Sequence, residues 1–295
     1  MLLAVLSMGI LITGLLLGGT YALIAMGLNL QYGMSRIMNL ANGEILVAGG
    51  FAAFWFWTAG ALSPLLTIFI VAPIAFLVNW LVYVIILRPL VKRAKSRGQL
   101  EVDAILTTFG LSFVAVGIML ATFGGDYFSY SYMLSPVELW GETYAVNRIL
   151  AFIAAVIICG ALYLWLNISR AGMSIRAIAV SPDSSRLVGI DVPKLSALAF
   201  ALGGAVTAVG GALISTFLTL DASTGVIFTL KALVIVIMGG VGDVRGTIVA
   251  ALLLGVLETF VARMIDPGLT LAAAYLLFIL ILLFRPQGLF GRRQS

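Results

Sequence analysis

The chain has 295 residues, of which 62% are hydrophobic and 10% charged, with a formal net charge of +5 and a mean hydropathy of +1.16. Soluble domains carry about 25% charged residues, so this composition excludes them and describes an all-α, polytopic membrane protein. With no histidine and a single cysteine, Cys159, the chain also lacks the makings of H-E-x-x-H zinc sites, Ser-His-Asp triads and intrachain disulfides.

Residues 2–32 are apolar and precede the first positive charge, Arg36. A secretory signal opens with a basic region, so this stretch reads as a retained first span. Gly14 and Gly18 give it a small-residue face for close helix packing. Residues 33–44, GMSRIMNLANGE, then break the hydrophobicity with Arg36, Asn39, Asn42, Gly43 and Glu44. Two readings stand side by side. In one, Asn42 caps the second span and Glu44 lies in its first turn. In the other, Asn39, Asn42 and Glu44 form a polar break within the membrane that lines a solute passage.

Residues 45–60 and 62–87 make the second and third spans, and Arg88, Lys92, Arg93, Lys95 and Arg97 follow as a solvated topology signal. Residues 104–124 form the fourth span. The segment 125–147 carries Asp126, Glu138 and Glu142 among Tyr127, Phe128, Tyr130, Tyr132, Trp140 and Tyr144. It reads as an aromatic belt at the outer interface, or as a docking surface for an external partner. Residues 149–168 are the fifth span.

The polar interval 170–194, RAGMSIRAIAVSPDSSRLVGIDVPK, has to emerge from the membrane. Ser181-Pro182-Asp183 is a helix start: a capping hydroxyl, proline at the first position, and a carboxylate at the positive end. Gly189 closes that helix after about two turns, and Pro193 suits the start of the next. Leu187, Val188 and Ile190 then stand at the end of a surface helix with no lipid to bury them. Either another protein docks on them or the loop folds back on its own bundle.

The sixth span contains Gly203, Gly204, Gly210 and Gly211 among alanines, a composition that lets helices approach closely. A short apolar piece at 227–238 and spans at 247–264 and 269–284 complete about nine segments, eight of them full spans if the short piece is re-entrant. The glycines at 239–246 make a turn, and without a Gly-Lys dipeptide the chain has no G-x-x-x-x-G-K-[ST] nucleotide site. Alternating nine spans from an external N-terminus gathers 14 of the 17 basic residues on one side, leaving Arg148, Lys231 and Arg263. The positive-inside rule makes that side, with the 170–194 loop and the C-terminus, cytoplasmic. The net positive charge thus reports orientation in membrane lipid and not nucleic-acid binding. Glu258 lies inside a span, where a bare carboxylate is costly, so it requires a partner such as Lys231 or Arg263, as a path residue or as half of a structural ion pair.

The chain resembles the permease subunits of branched-chain amino-acid type ABC importers. The first block is Gly19-x-Tyr21-Ala22-Leu23 with Gly27-Leu28, Tyr32-Gly33, Asn39 and Gly43-Glu44. Arg176-Ala177-x-Ala179 with Leu187-x-Gly189-Ile190 is similar to the family's cytoplasmic coupling segment. Lys231-Ala232, Gly239-Gly240-x-Gly242, Gly246 and Phe284-Arg285-Pro286-x-Gly288-Leu289 are similar to its C-terminal blocks. Asn42 stands where the family often has histidine, and Arg36 where it often has an apolar residue. The resemblance implies a single transmembrane permease domain, 1–295, in the inner membrane of a bacterial-type cell. It further implies cytoplasmic ATPase subunits that bind the ATP, a second permease, and an extracytoplasmic solute-binding protein. The coupling contacts would come from Arg176, Ser181, Asp183, Arg186, Leu187, Val188, Gly189 and Ile190. Branched-chain or related amino acids are the implied cargo, with no catalytic, cofactor or metal residues in this chain. An ion-coupled secondary transporter or channel is the competing class, and Glu258 is its poor candidate for a coupling site. An intramembrane enzyme lacks every motif it needs.

Overall fold

The computed structural model describes residues 2–60, 62–139 and 142–291; Trp140, Arg292 and Arg293 lie outside them. Helices dominate because, in hydrocarbon, each segment has to satisfy its own backbone N–H and C=O groups. In chain order, α1 (Leu2–Asn29) runs on through a π-helical turn (Leu30–Met34), and α2 (Asn42–Thr58) follows a non-helical link. Next come α3 (Pro64–Val82), a second π-helical turn (Tyr83–Leu87), α4 (Arg88–Arg93) and α5 (Arg97–Phe123). A hairpin of β1 (Pro136–Leu139) and β2 (Glu142–Ala145) precedes α6 (Val146–Ile168), α7 (Arg170–Val180) and α8 (Pro182–Leu187). The chain ends with α9 (Val192–Ile214), α10 (Gly225–Gly239), α11 (Val244–Met264), a 3-10 turn (Pro267–Leu269) and α12 (Thr270–Phe284).

Among the described residues, seven helices are long and apolar enough to cross a membrane. The remaining two apolar segments are α2 and α10, of 17 and 15 residues, against the ~20 that about 30 Å of hydrocarbon asks for. All nine apolar segments are therefore helical. Three details differ from the sequence reading. The basic run continues the third span as α4, and α5 begins at Arg97, where Ser96 accepts a hydrogen bond from Gln99 N and caps it. The polar interval contains a second helix, α7, anchored by buried Ile175 and Ile178. The outer segment forms an antiparallel hairpin, with Pro136 opposite Ala145 and Leu139 opposite Glu142, a small departure from an all-α chain.

Close packing is carried by small residues. A Cβ on Gly14 would fall 2.5 Å from Val256 Cα, and one on Gly255 would fall 2.4 Å from Gly18 N, so α1 and α11 touch backbone to backbone. Helix α9 threads the centre, packed against α1, α2 and α3.

The contacts also sort the loops onto two faces. On one, Arg36 donates to the carbonyls of Ala179 and Val180 at 2.9 and 3.0 Å, Arg245 reaches the Tyr163 hydroxyl, and the tail docks through Leu289 N to Met238 O at 2.7 Å. On the other, Phe128 pairs with Leu220, Arg263 bonds Glu142 at 3.0 Å, and Arg148 lies over the Phe217 ring. For Arg36 and Arg245 against Arg148 and Arg263 this is the division of charge read from the sequence, with Lys231 in the interior.

Candidate translocation path and coupling segment

The link between α1 and α2 is irregular backbone inside the bundle, tolerated because neighbouring side chains satisfy it. Asn39 Nδ2 donates to Gln31 Oε1 at 2.9 Å, and Asn39 Oδ1 accepts from Ala41 N at 3.0 Å. Leu40 N donates to Thr108 Oγ1 of α5 at 3.1 Å, and Gly43 N donates to Thr229 Oγ1 of α10 at 2.7 Å. Gln31 is held in turn by the Phe200 carbonyl of α9.

Asn42 does not cap α2. Ala41 occupies the cap position without a side-chain bond, and Asn42 Oδ1 accepts instead from Thr207 Oγ1 at 2.9 Å. The bond to the buried hydroxyl on α9 holds the amide sideways, away from its own backbone. Glu44 does lie in the first turn of α2, where Ser112 Oγ donates to its Oε1 at 2.7 Å. Among the described residues, three buried side-chain atoms have no partner: Asn42 Nδ2, Glu44 Oε2 and Glu258 Oε1, on residues 0%, 1% and 4% exposed. Beside the first two, α2 meets α10: a Cβ on Gly43 would stand 1.7 Å from the Gly225 carbonyl oxygen.

Glu258 is paired, as its burial requires. Lys231 Nζ and Tyr21 OH each donate to its Oε2 at 2.8 Å, and Lys231 Nζ also lies 2.8 Å from the Tyr21 hydroxyl and 4.8 Å from its ring centre. Arg263, the other candidate, is engaged by Glu142 and Thr13. The sequence reading missed Tyr21, Gln31, Thr108, Ser112, Thr207 and Thr229 as polar partners. Isolated hydroxyls and amides in apolar spans were the only available signal.

The candidate coupling segment has the expected local form. Ser181 accepts from Ser184 N at 3.3 Å, Pro182 opens α8, Asp183 lies in its first turn, and Gly189 leaves it with φ of +82°. Leu187 and Val188 are 89% and 75% exposed, whereas Ile190 is half-buried. Arg186 lies 3.7 Å from Asp183, and Arg176 donates to Asn167 at 2.7 Å. Asp191 caps α9, and its hydrogen bond from Lys194 holds its carboxyl below the usual range. A groove of about 440 Å³ beside α8 is lined by Arg36, Arg88, Lys92, Asp183 and Arg186.

On the opposite face, Phe128, Tyr130 and Tyr132 pack over Phe51, Phe54 and Trp57 at the end of α2. Burial pushes the Tyr130 hydroxyl up to about 12. Among the described residues, no group of three or more His, Cys, Asp or Glu could hold a metal ion.

A multi-pass bundle with polar groups gathered inside it, irregular backbone at depth and a protruding helix on its basic face defines a membrane transport component. The chain matches the family of branched-chain amino acid transport system permease components over residues 10–284 and belongs to it. It is 29% identical to the high-affinity branched-chain amino acid transport system permease protein BraD of Pseudomonas aeruginosa, over 96% of this chain and 95% of that one. It is 25% identical to LivH of Escherichia coli, a protein of the same description, over 95% and 94%. The ribose import permease protein RbsC of Haemophilus influenzae is 28% identical over 80% and 72%. The chain is thus a transport permease and not an enzyme.

Proposed function

We propose that this permease is the membrane-spanning subunit of an importer for branched-chain or closely related amino acids, driven by ATP hydrolysis on separate cytoplasmic ATPase subunits. An extracytoplasmic solute-binding protein feeds it, and a second permease, identical or related, completes the passage. The reading is carried by the near end-to-end match to BraD and LivH, whose names state this cargo. The basic face, with the C-terminal tail, lies in the cytoplasm of a bacterial-type inner membrane by the positive-inside rule.

Exposed Leu187 and Val188 on a polar surface support α8 as the ATPase contact, flanked by Arg176, Asp183 and Arg186. Asp191 ties the end of that segment to α9, and α9 carries Thr207, which holds Asn42. Closure of the ATPase pair against α8 thereby biases a two-state bundle through one packed helix, and it opens or shuts the region of Asn39, Asn42, Glu44 and Glu258 through which the solute passes.

The test is ATP-driven uptake of labelled L-leucine into vesicles holding the assembled importer. Replacing Leu187 and Val188 together by Asp abolishes uptake while membrane insertion is unchanged, and wild-type uptake by that variant refutes the docking role. Uptake driven by an ion gradient with no ATPase present overturns the importer reading as a whole.

A further inference from the structure

Helices α2 and α10, of 17 and 15 residues, are short for the bilayer, and their starts meet at Gly43 and Gly225. Gly43 abuts Gly225, and Gly43 N donates to Thr229 Oγ1. Neither helix start is capped by a side chain at its cap position, Ala41 or Thr224. Two positive helix ends therefore converge at buried Gly43 and Gly225, a place that favours negative charge.

The first turn of α2 adds an unmet donor and an unmet acceptor. Asn42 Nδ2 and Glu44 Oε2 are fully buried and unpartnered, while Thr207 and Ser112 donate to Asn42 Oδ1 and Glu44 Oε1 and hold the side chains in place. Buried polar atoms are rarely left unpaired without a use. A free carboxylate oxygen asks for a cationic donor, whereas the free amide and the helix ends ask for an anion. A zwitterion meets both demands in one molecule; a sugar meets neither charge. Glu258 Oε1 is unpartnered too, but the charge of that carboxylate is already neutralised by Lys231 at 2.8 Å.

We infer that Asn42, Glu44 and the facing starts of α2 and α10 form a binding site for the α-amino-acid zwitterion. Glu44 Oε2 accepts from the solute ammonium. Asn42 Nδ2 and the first N–H groups of α10 donate to its carboxylate. The Gly43–Gly225 contact shuts the site in this structure, and the solute enters when the start of α10 parts from α2. This inference rests on the importer reading and assigns the groups that hold its cargo, which that reading leaves open.

The test uses the assembled importer in vesicles, supplied with binding protein saturated with L-leucine. Glu44→Gln keeps the size of the side chain and the Ser112 bond but removes the charge, and it lowers uptake at least about tenfold while the complex still co-purifies with its ATPases. Glu44→Asp restores part of the uptake. Asn42→Asp keeps the acceptor for Thr207, sets a negative charge against the solute carboxylate, and matches the loss in E44Q. Uptake by E44Q within about twofold of wild type overturns the site, and so does a loss that E44D leaves unrestored. Should the wild-type complex itself take up no leucine with ATP, the importer reading falls and the site with it; wild-type uptake with unaffected E44Q uptake removes the site alone.

Discussion

Helices α9 and α12 are both strongly apolar, yet they occupy opposite environments. Nearly every residue of α9 is buried, whereas Ala274 is the only buried residue of α12. The difference is side-chain size. Helix α9 is rich in Gly and Ala, and its backbone comes against others: a Cβ on Gly203 would lie 2.5 Å from Gly27 O, and one on Gly211 would lie 1.8 Å from Leu46 O. Helix α12 turns Leu276, Ile279, Leu280 and Leu283 outward. Lipid tails are as apolar as leucine, so hydrophobicity cannot choose which helix goes inside, and close van der Waals approach does.

The interior should fail most severely where it holds a charge. Lys231→Met leaves the Glu258 carboxylate buried with only the Tyr21 hydroxyl, and a buried pair broken on one side costs about 3–5 kcal/mol. Thermal unfolding in detergent measures the loss, and Lys231→Met combined with Glu258→Leu recovers most of it. A loss below about 1 kcal/mol for the single variant shows the interior to be wetter than its packing implies.

A smaller effect separates packed from open helix faces with one chemical change. Gly211→Ala drives a methyl into the Leu46 carbonyl and costs about 1–3 kcal/mol. Gly160→Ala in α6 meets nothing within 4 Å, and by restricting the unfolded chain it stabilises by roughly 0.5–1 kcal/mol. Opposite signs in the same unfolding assay sharpen the division of small-residue helices into central and peripheral ones. Equal signs erase it.

These contrasts mark how far the sequence could be read. The nine apolar segments follow from run length, and the two faces follow from the placement of basic residues. The α8 cap and its closing glycine were legible because Ser181, Pro182, Asp183 and Gly189 each act on backbone within a turn of themselves. The need of Glu258 for a partner followed from the cost of a bare carboxylate in hydrocarbon. What stayed hidden depends on distance along the chain. Asn42 finds Thr207 across 165 residues, and Tyr21 finds Glu258 across 237, and neither choice leaves a local trace. Helix α7 was obscured because Arg170 and Arg176 make its interval look like loop, although Ile175 and Ile178 line its buried side. Small-residue spacing was visible at Gly14 and Gly18, but only the fold says that α11 is what lies against them.

The smallest expected effect falls on α12. Leu280 is exposed on a helix that touches mainly α11 and α10, so Leu280→Ala trades one lipid-facing side chain for another and shifts stability by less than about 0.5 kcal/mol in the isolated permease. The same substitution can be measured in the assembled importer proposed above, where a second permease would cover some apolar face. No change there leaves α12 facing lipid in both states. A loss near 2 kcal/mol, the size of a large-to-small change in a packed core, appearing only after assembly places α12 in the contact between permeases. Side-chain size would then fail as a guide to which helices lie at the periphery, because a surface rich in leucine would be buried by a partner and not by lipid.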